Sequence, residues 1–127
     1  MSFATEINTI MVADASINAV FGTNNICFEN LPDNFDLTKK WLLFYYNQSE
    51  QVNCMNTSDA YSIYELNALI ITQNTVDVIS ASGLVKDYLN DMSSTNIKDT
   101  YFLSDEHGFD KEKNIYTNNL IFECIYD

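Results

Sequence analysis

Hydrophobic positions in the first thirteen residues recur at three- and four-residue steps: Phe3, Ile7, Ile10 and Met11. Side chains at those steps share one side of a helix, so this stretch is predicted to form an amphipathic helix. Asp14 interrupts the stripe and is placed to cap a second helical piece, Ala15 to Phe21, with Ile17, Val20 and Phe21 as its apolar side. Gly22 stands where such a helix ends in a left-handed residue.

The pattern then changes. Ile26 to Leu31 reads as a short strand closed by Pro32, which cannot donate to a sheet ladder and marks a strand end or an edge. A polar connection, 33–40, leads into Trp41–Tyr46 (WLLFYY). That run is apolar on both faces, as expected of a strand covered on both sides. Residues 47–59 (NQSEQVNCMNTSD) are too polar for a core and are predicted to form a long loop. Tyr61 to Thr72 is a third strand: Tyr64, Leu66, Ala68 and Ile70 point one way, Ile63, Leu69 and Ile71 the other.

Asn74-Thr75-Val76-Asp77 resembles a capping box with Asp in place of Glu. The helix after it carries Val78, Ala81, Val85, Leu89 and Met92 on one stripe, and Val76 and Ile79 widen its start. Gly83, in mid-helix, costs up to ~1 kcal/mol relative to Ala, which a close approach by a neighbouring backbone would explain. Ser93, Ser94 and Asn96 end the helix. A strand from Ile97 to about Leu103, a charged loop 104–114 (SDEHGFDKEKN) and a final strand Ile115–Tyr126 follow, the last with Leu120, Phe122, Cys124 and Tyr126 on one face. The order α-β-β-β-α-β-β predicts an α+β fold: a mainly antiparallel sheet, one helix packed across it and an N-terminal helix. With no repeat or linker, residues 1–127 are expected to form a single domain.

Composition agrees with a packed core: 46% of the 127 residues are hydrophobic and 13% aromatic. No run approaches the ~18 apolar residues of a membrane span. The start, MSFATEINTIMVADAS, lacks the basic opening and long apolar run of a signal peptide, which predicts folding in a cytosol without membrane association. Charge changes the picture more. Eighteen acids against six bases give −12, and all six bases are lysine. Tight nucleic-acid binding needs a basic face, and bidentate phosphate or guanine contacts mostly use arginine. Direct DNA or RNA binding is therefore not expected, although an acidic protein can stand beside nucleic acid as a repelling wall.

Candidate chemistry is sparse. Three cysteines without a C-x-x-C give neither a complete disulfide framework nor a thiolate metal site. Cys27 and Cys124 lie in apolar runs and read as buried and inert; Cys54 reads as a bystander in a polar loop. Asp105, Glu106, His107 and Asp110 could hold a divalent cation, but their spacing matches no EF-hand, and a solvated hairpin loop is the expected role. One histidine leaves little room for a Ser-His-Asp arrangement, no carboxylate pair has the apolar neighbours that would raise a pKa, and no phosphate-cradling glycine motif is present. No catalytic, metal or cofactor site is expected, and the protein is read as not an enzyme. Tyr45, Tyr46, Tyr61 and Tyr64 could form a stacking platform, but without adjacent bases they suit a core or a subunit interface. Lys39 and Lys40 suit a phosphate contact less well than a solvated strand entrance or one half of an inter-subunit salt bridge.

The order of elements and several local phrases resemble the tail-terminator and tail-completion proteins of long-tailed bacteriophages, the minor tail protein U-like family. The phrases are IMVADASINAVFG, ICFENLPDNFDLTKKWLLFYY and YELNALIITQNTVDVISASGLVKDYLND, followed by a closing hairpin. The resemblance spans nearly the whole chain and implies a structural virion protein of the tail or neck, assembled in the host cytoplasm. Such proteins form homo-oligomeric rings, usually hexameric, with a dodecamer also open, that meet the tail tube or neck and portal-side adaptor proteins. They leave a channel through which DNA passes without specific binding. On this reading the 33–40 connection runs along the sheet's rim. Phe35 and Leu37, apolar in a polar stretch, together with Lys39 and Lys40, are then the candidates for contact with another subunit. The alternative is a small acidic DNA mimic that inhibits a host nucleic-acid enzyme, although the acids here are scattered among apolar strands and form no runs.

Overall fold

The computed structural model describes residues 2–53 and 60–127. Two short helices open the chain, α1 (Phe3–Ala13) and α2 (Ala15–Phe21), followed by a single 3-10 turn, Thr23–Asn25. Their ends follow from local chemistry. The Ser2 hydroxyl accepts from the Thr5 amide to cap α1, and the Asp14 carboxylate accepts from the Ile17 amide to cap α2. Gly22 closes α2 at φ +84°, a backbone conformation that favours glycine.

The strands are β1 (Ile26–Phe28), β2 (Trp41–Asn53), β3 (Ala60–Thr72), β4 (Ile97–Asp110) and β5 (Ile115–Tyr126), with α3 (Thr75–Leu89) between β3 and β4. They form one sheet in the order β1-β2-β3-β5-β4. All pairings are antiparallel except β1 with β2, which is parallel. The fold is α+β, as the hydrophobic pattern predicts.

The core lies between one sheet face and the helices. Leu42 and Phe44 of β2, Leu66, Ala68 and Ile70 of β3, and Leu120, Phe122 and Cys124 of β5 meet Phe3, Ile7 and Met11 of α1, Ile17 and Phe21 of α2, and Val78, Ala81, Val85 and Leu89 of α3. Phe3 stacks on Tyr64 with ring centroids 4.3 Å apart and presents edges to Tyr46 and Tyr126. These geometries add attraction beyond the area they bury. Tyr46 and Tyr64 thus belong to the core side, whereas Tyr45 points to the opposite face, so the tyrosines do not make one platform.

Several boundaries depart from the sequence pattern. Residues 47–53, expected as loop, are strand, because β3 supplies their ladder partners from Asn47↔Glu65 to Asn53↔Ala60; the rest of that expected loop, 54–59, lies outside the described residues. The charged segment 104–110 likewise continues β4, paired with β5 from Ser104↔Ile121 to Asp110↔Ile115, leaving a turn at 111–114. An edge strand tolerates such polarity because only one of its flanks is paired. β1 ends at Phe28, and Glu29 leaves it at φ 71°. α3 ends at Leu89, with Asn90 as its C-cap.

Two further expectations are corrected. Val76 and Ile79 do not widen the buried stripe of α3: they are 72% and 58% exposed, because the helix turns its Val78–Ala81–Val85–Leu89 side inward. Nor is β2 covered evenly on both sides. Helices lie against Leu42 and Phe44, whereas Leu43 and Tyr45, facing the other way, are half-buried.

Candidate functional site

Beyond Pro32 the chain crosses the sheet face away from the helices and builds a small second cluster. Trp41, Ile71 and Ile115 are buried there, with Leu31, Phe35, Leu37 and Leu69 packed against them. The Trp41 indole N–H donates to the Asp36 carbonyl at 2.7 Å, and the Phe35 ring meets it edge-on at 5.4 Å. Asp36 shapes the turn: its carboxylate accepts from the Thr38 amide at 2.9 Å and the Thr38 hydroxyl at 2.6 Å. Those bonds, side chain first, with Lys39 nearby, outweigh desolvation and hold the Asp36 carboxyl below its ordinary value.

The four interface candidates have distinct placements. Phe35 and Leu37 are half-buried by this chain's own cluster; their remaining surface lines a depression of about 380 Å³ with Asn34 and Lys113. Lys39 is exposed. Lys40 reaches Asp77 in the first turn of α3, Nζ to Oδ1 3.7 Å, with both side chains more than a third exposed. A pair so open to water contributes ~0–1 kcal/mol and mainly orients the connection.

Beyond this cluster the described residues leave the same sheet face open. Among the described residues no helix lies on it. Leu43, Ile63, Ile121 and Ile125 are half-buried there, Leu43 directly opposite Leu69 of the cluster in the β2–β3 register. A polar row crosses it: Asn119 Nδ2 donates to the Tyr45 hydroxyl at 3.1 Å and to Asn67 Oδ1 at 3.0 Å, and Asn67 Nδ2 donates to Glu65 at 3.3 Å. Glu65 stands directly opposite Glu123 in the β3–β5 register. Like charges at such a position are destabilising unless something opposes them. The ion pairs of the described residues, Lys40–Asp77, Lys98–Asp127 and His107–Asp105, include neither glutamate.

The other candidate chemistry is dispersed by the strand it sits on. Alternation along β4 puts Asp105 and His107 on one face, 3.3 Å apart, and Glu106 on the other. Among the described residues no three His, Cys, Asp or Glu side chains gather as a metal would require. Asp105 instead accepts from Asn118 at 3.3 Å. Cys124 is buried, and burial pushes its thiol up to about 12; Cys27 is half-buried and raised for the same reason. Cys54 lies outside the described residues. No described helix is long and apolar enough to cross a membrane.

Neither a protein-family model nor a curated protein matches the chain. A solved structure does. One chain of the virion of a native gene transfer agent (GTA) particle superposes with a TM-score of 0.66 at 17% sequence identity, over 97% of this chain and 91% of that one. The likeness is one of fold.

Proposed function

We propose that this chain is a structural virion component that forms a ring at the head–tail junction or tail end of a phage-like particle, around the DNA channel. The observation that carries the reading is the near-complete superposition on a chain of a gene transfer agent virion. Charge supports it: a wall built of copies that each carry −12, with no arginine, repels phosphate, so DNA slides past without sticking. The role is structural, without catalysis or cofactor, and localisation is to the virion's tail or neck. The partners are further copies of the chain, in a hexamer or a dodecamer, and the tail tube or a neck adaptor. Phe35, Leu37, Lys39 and Lys40 are proposed to border a neighbouring subunit, since Phe35 and Leu37 keep exposed surface that lines a depression with Asn34 and Lys113.

Size-exclusion chromatography with light scattering at several protein concentrations tests the reading. A ring component shows a discrete multiple of 14.5 kDa whose population rises with concentration. A chain that stays monomeric and instead binds a nucleic-acid enzyme would replace this reading with the inhibitor one.

A further inference from the structure

The sheet ends in two strands whose outer flanks are only partly closed. β1 pairs with β2 over Leu42–Phe44 alone, and the Glu29 amide donates to the Phe44 carbonyl at 2.7 Å. Glu29, at φ 71°, then takes the chain off that flank. Among the described residues no strand borders β2 there from Tyr45 to Asn53. At the other end of the sheet, the chain leaving α3 closes the first half of β4. The Asp91 amide donates to the Thr100 carbonyl at 2.8 Å, and Asn90 Oδ1 accepts from the Phe102 amide at 3.1 Å. From 103 to 110, β4 has β5 on one flank and, among the described residues, no strand on the other. Free amides and carbonyls along a strand are a template for another strand. Tyr101, Leu103 and Phe109, all exposed large apolar side chains, stand on this same strand.

Resting on the ring reading, we infer that the free stretch of β4, 103–110, pairs with the free stretch of β2, 45–53, of the next copy, so that the sheet continues from subunit to subunit. Direction favours this occupant. β2 and β4 run opposite ways, because the steps from β2 to β3, β3 to β5 and β5 to β4 are all antiparallel. Copies set side by side without inversion therefore bring the two stretches together antiparallel, the pairing the chain uses everywhere but at β1. Charge favours it as well. Joining two β4 stretches would set Asp105, Glu106 and Asp110 among the same residues of a second copy, and like charges opposed across a ladder destabilise it. Residues 47–53 (NQSEQVN) bring only the acid Glu50. The symmetry is right too. Two unlike edges make a head-to-tail contact, which generates a ring when the rotation closes, whereas an edge joined to itself stops at a dimer.

Hydrogen–deuterium exchange of the wild-type chain tests the contact, read by mass spectrometry at a dilution where light scattering shows single copies and at a concentration where it shows the ring. Amides within 45–53 and within 103–110 should both slow by about tenfold or more in the ring, while those of β3, flanked by strands in either state, stay unchanged. A variant gives a second reading. The Phe44 carbonyl faces the outer flank, so by alternation the Gln48 amide does too, and Gln48→Pro removes that donor without touching the pairing with β3. The variant should fold, as circular dichroism checks, and assemble about tenfold more weakly. If the ring forms and either stretch exchanges as it does in the single copy, or a folded Gln48→Pro chain assembles like wild type, the contact is wrong and the ring reading stands. If the wild-type chain never associates with itself, both are overturned.

Discussion

The Glu6 carboxylate accepts both N–H groups of Asn96, the backbone amide at 3.1 Å and the side chain at 3.2 Å, across 90 positions of sequence. The Ser94 hydroxyl donates to the same carboxylate. Buried on α1, Glu6 thereby pins the first helix to the segment that leads into β4. Burial by itself raises its pKa, but the hydrogen bonds from Ser94 and Asn96 together outweigh that and hold it below the ordinary 4.5.

Stability should therefore fall in acid. With a depressed pKa the native state binds fewer protons than the unfolded chain, so this contribution is complete above about pH 4.5 and is lost as pH drops through the folded-state value. Glu6→Gln turns one acceptor towards donors and should cost about 2 kcal/mol at neutral pH, with the gap to wild type narrowing in acid. Urea melts at pH 7 and pH 3 check both. A constant gap would show that the carboxylate's charge is irrelevant.

Trp41→Ala should destabilise by ~3–5 kcal/mol, since the ring is 6% exposed and anchors Phe35 and the Asp36 carbonyl. Trp41→Phe, which keeps most of the apolar area and loses the indole donor, should cost nearer ~1 kcal/mol. Denaturant unfolding measures both. A cost below ~1 kcal/mol for the alanine variant would mean that the connection does not depend on its tryptophan.

Gly83→Ala tests whether the glycine in mid-α3 costs stability, since nothing lies within 4 Å of where its Cβ would stand. In a helix interior with open space around the Cβ, alanine should raise the stability of the isolated chain by ~0.5–1 kcal/mol, about 2–4 °C in melting temperature. Thermal melts of the two variants at equal concentration read the effect. A lower melting temperature for the alanine variant would show that the helix needs its glycine.

Much of the fold is legible in the sequence wherever one physical cue dominates. Asp14 and Asn74 cap helices because their side chains accept from amides three residues on, and the spacing alone reveals that. Gly22 and the alternation of Tyr64, Leu66, Ala68 and Ile70 are read equally directly. The cues fail where pairing replaces burial. Gln48 and Glu106 sit in strands because a neighbouring strand completes their ladder, and no single-chain hydrophobic pattern announces that. Val76 and Ile79 mislead in the opposite way, as apolar residues that their own chain leaves exposed. For the candidate surface, Phe35 and Leu37 stand out as apolar in a polar stretch, but their packing on Trp41 needed the tertiary structure. The opposition of Glu65 and Glu123 is a matter of β3–β5 register, 58 positions apart, and has no sequence signal at all.

The central claim is that this acidic domain works as one segment of a ring. Electron microscopy of the particle that contains it, carried to a resolution where α3 can be traced, tests that most directly. The account predicts an annular layer in the tail or neck, built of copies of this chain around an open lumen. Density showing the chain as an isolated copy outside any annulus would contradict it.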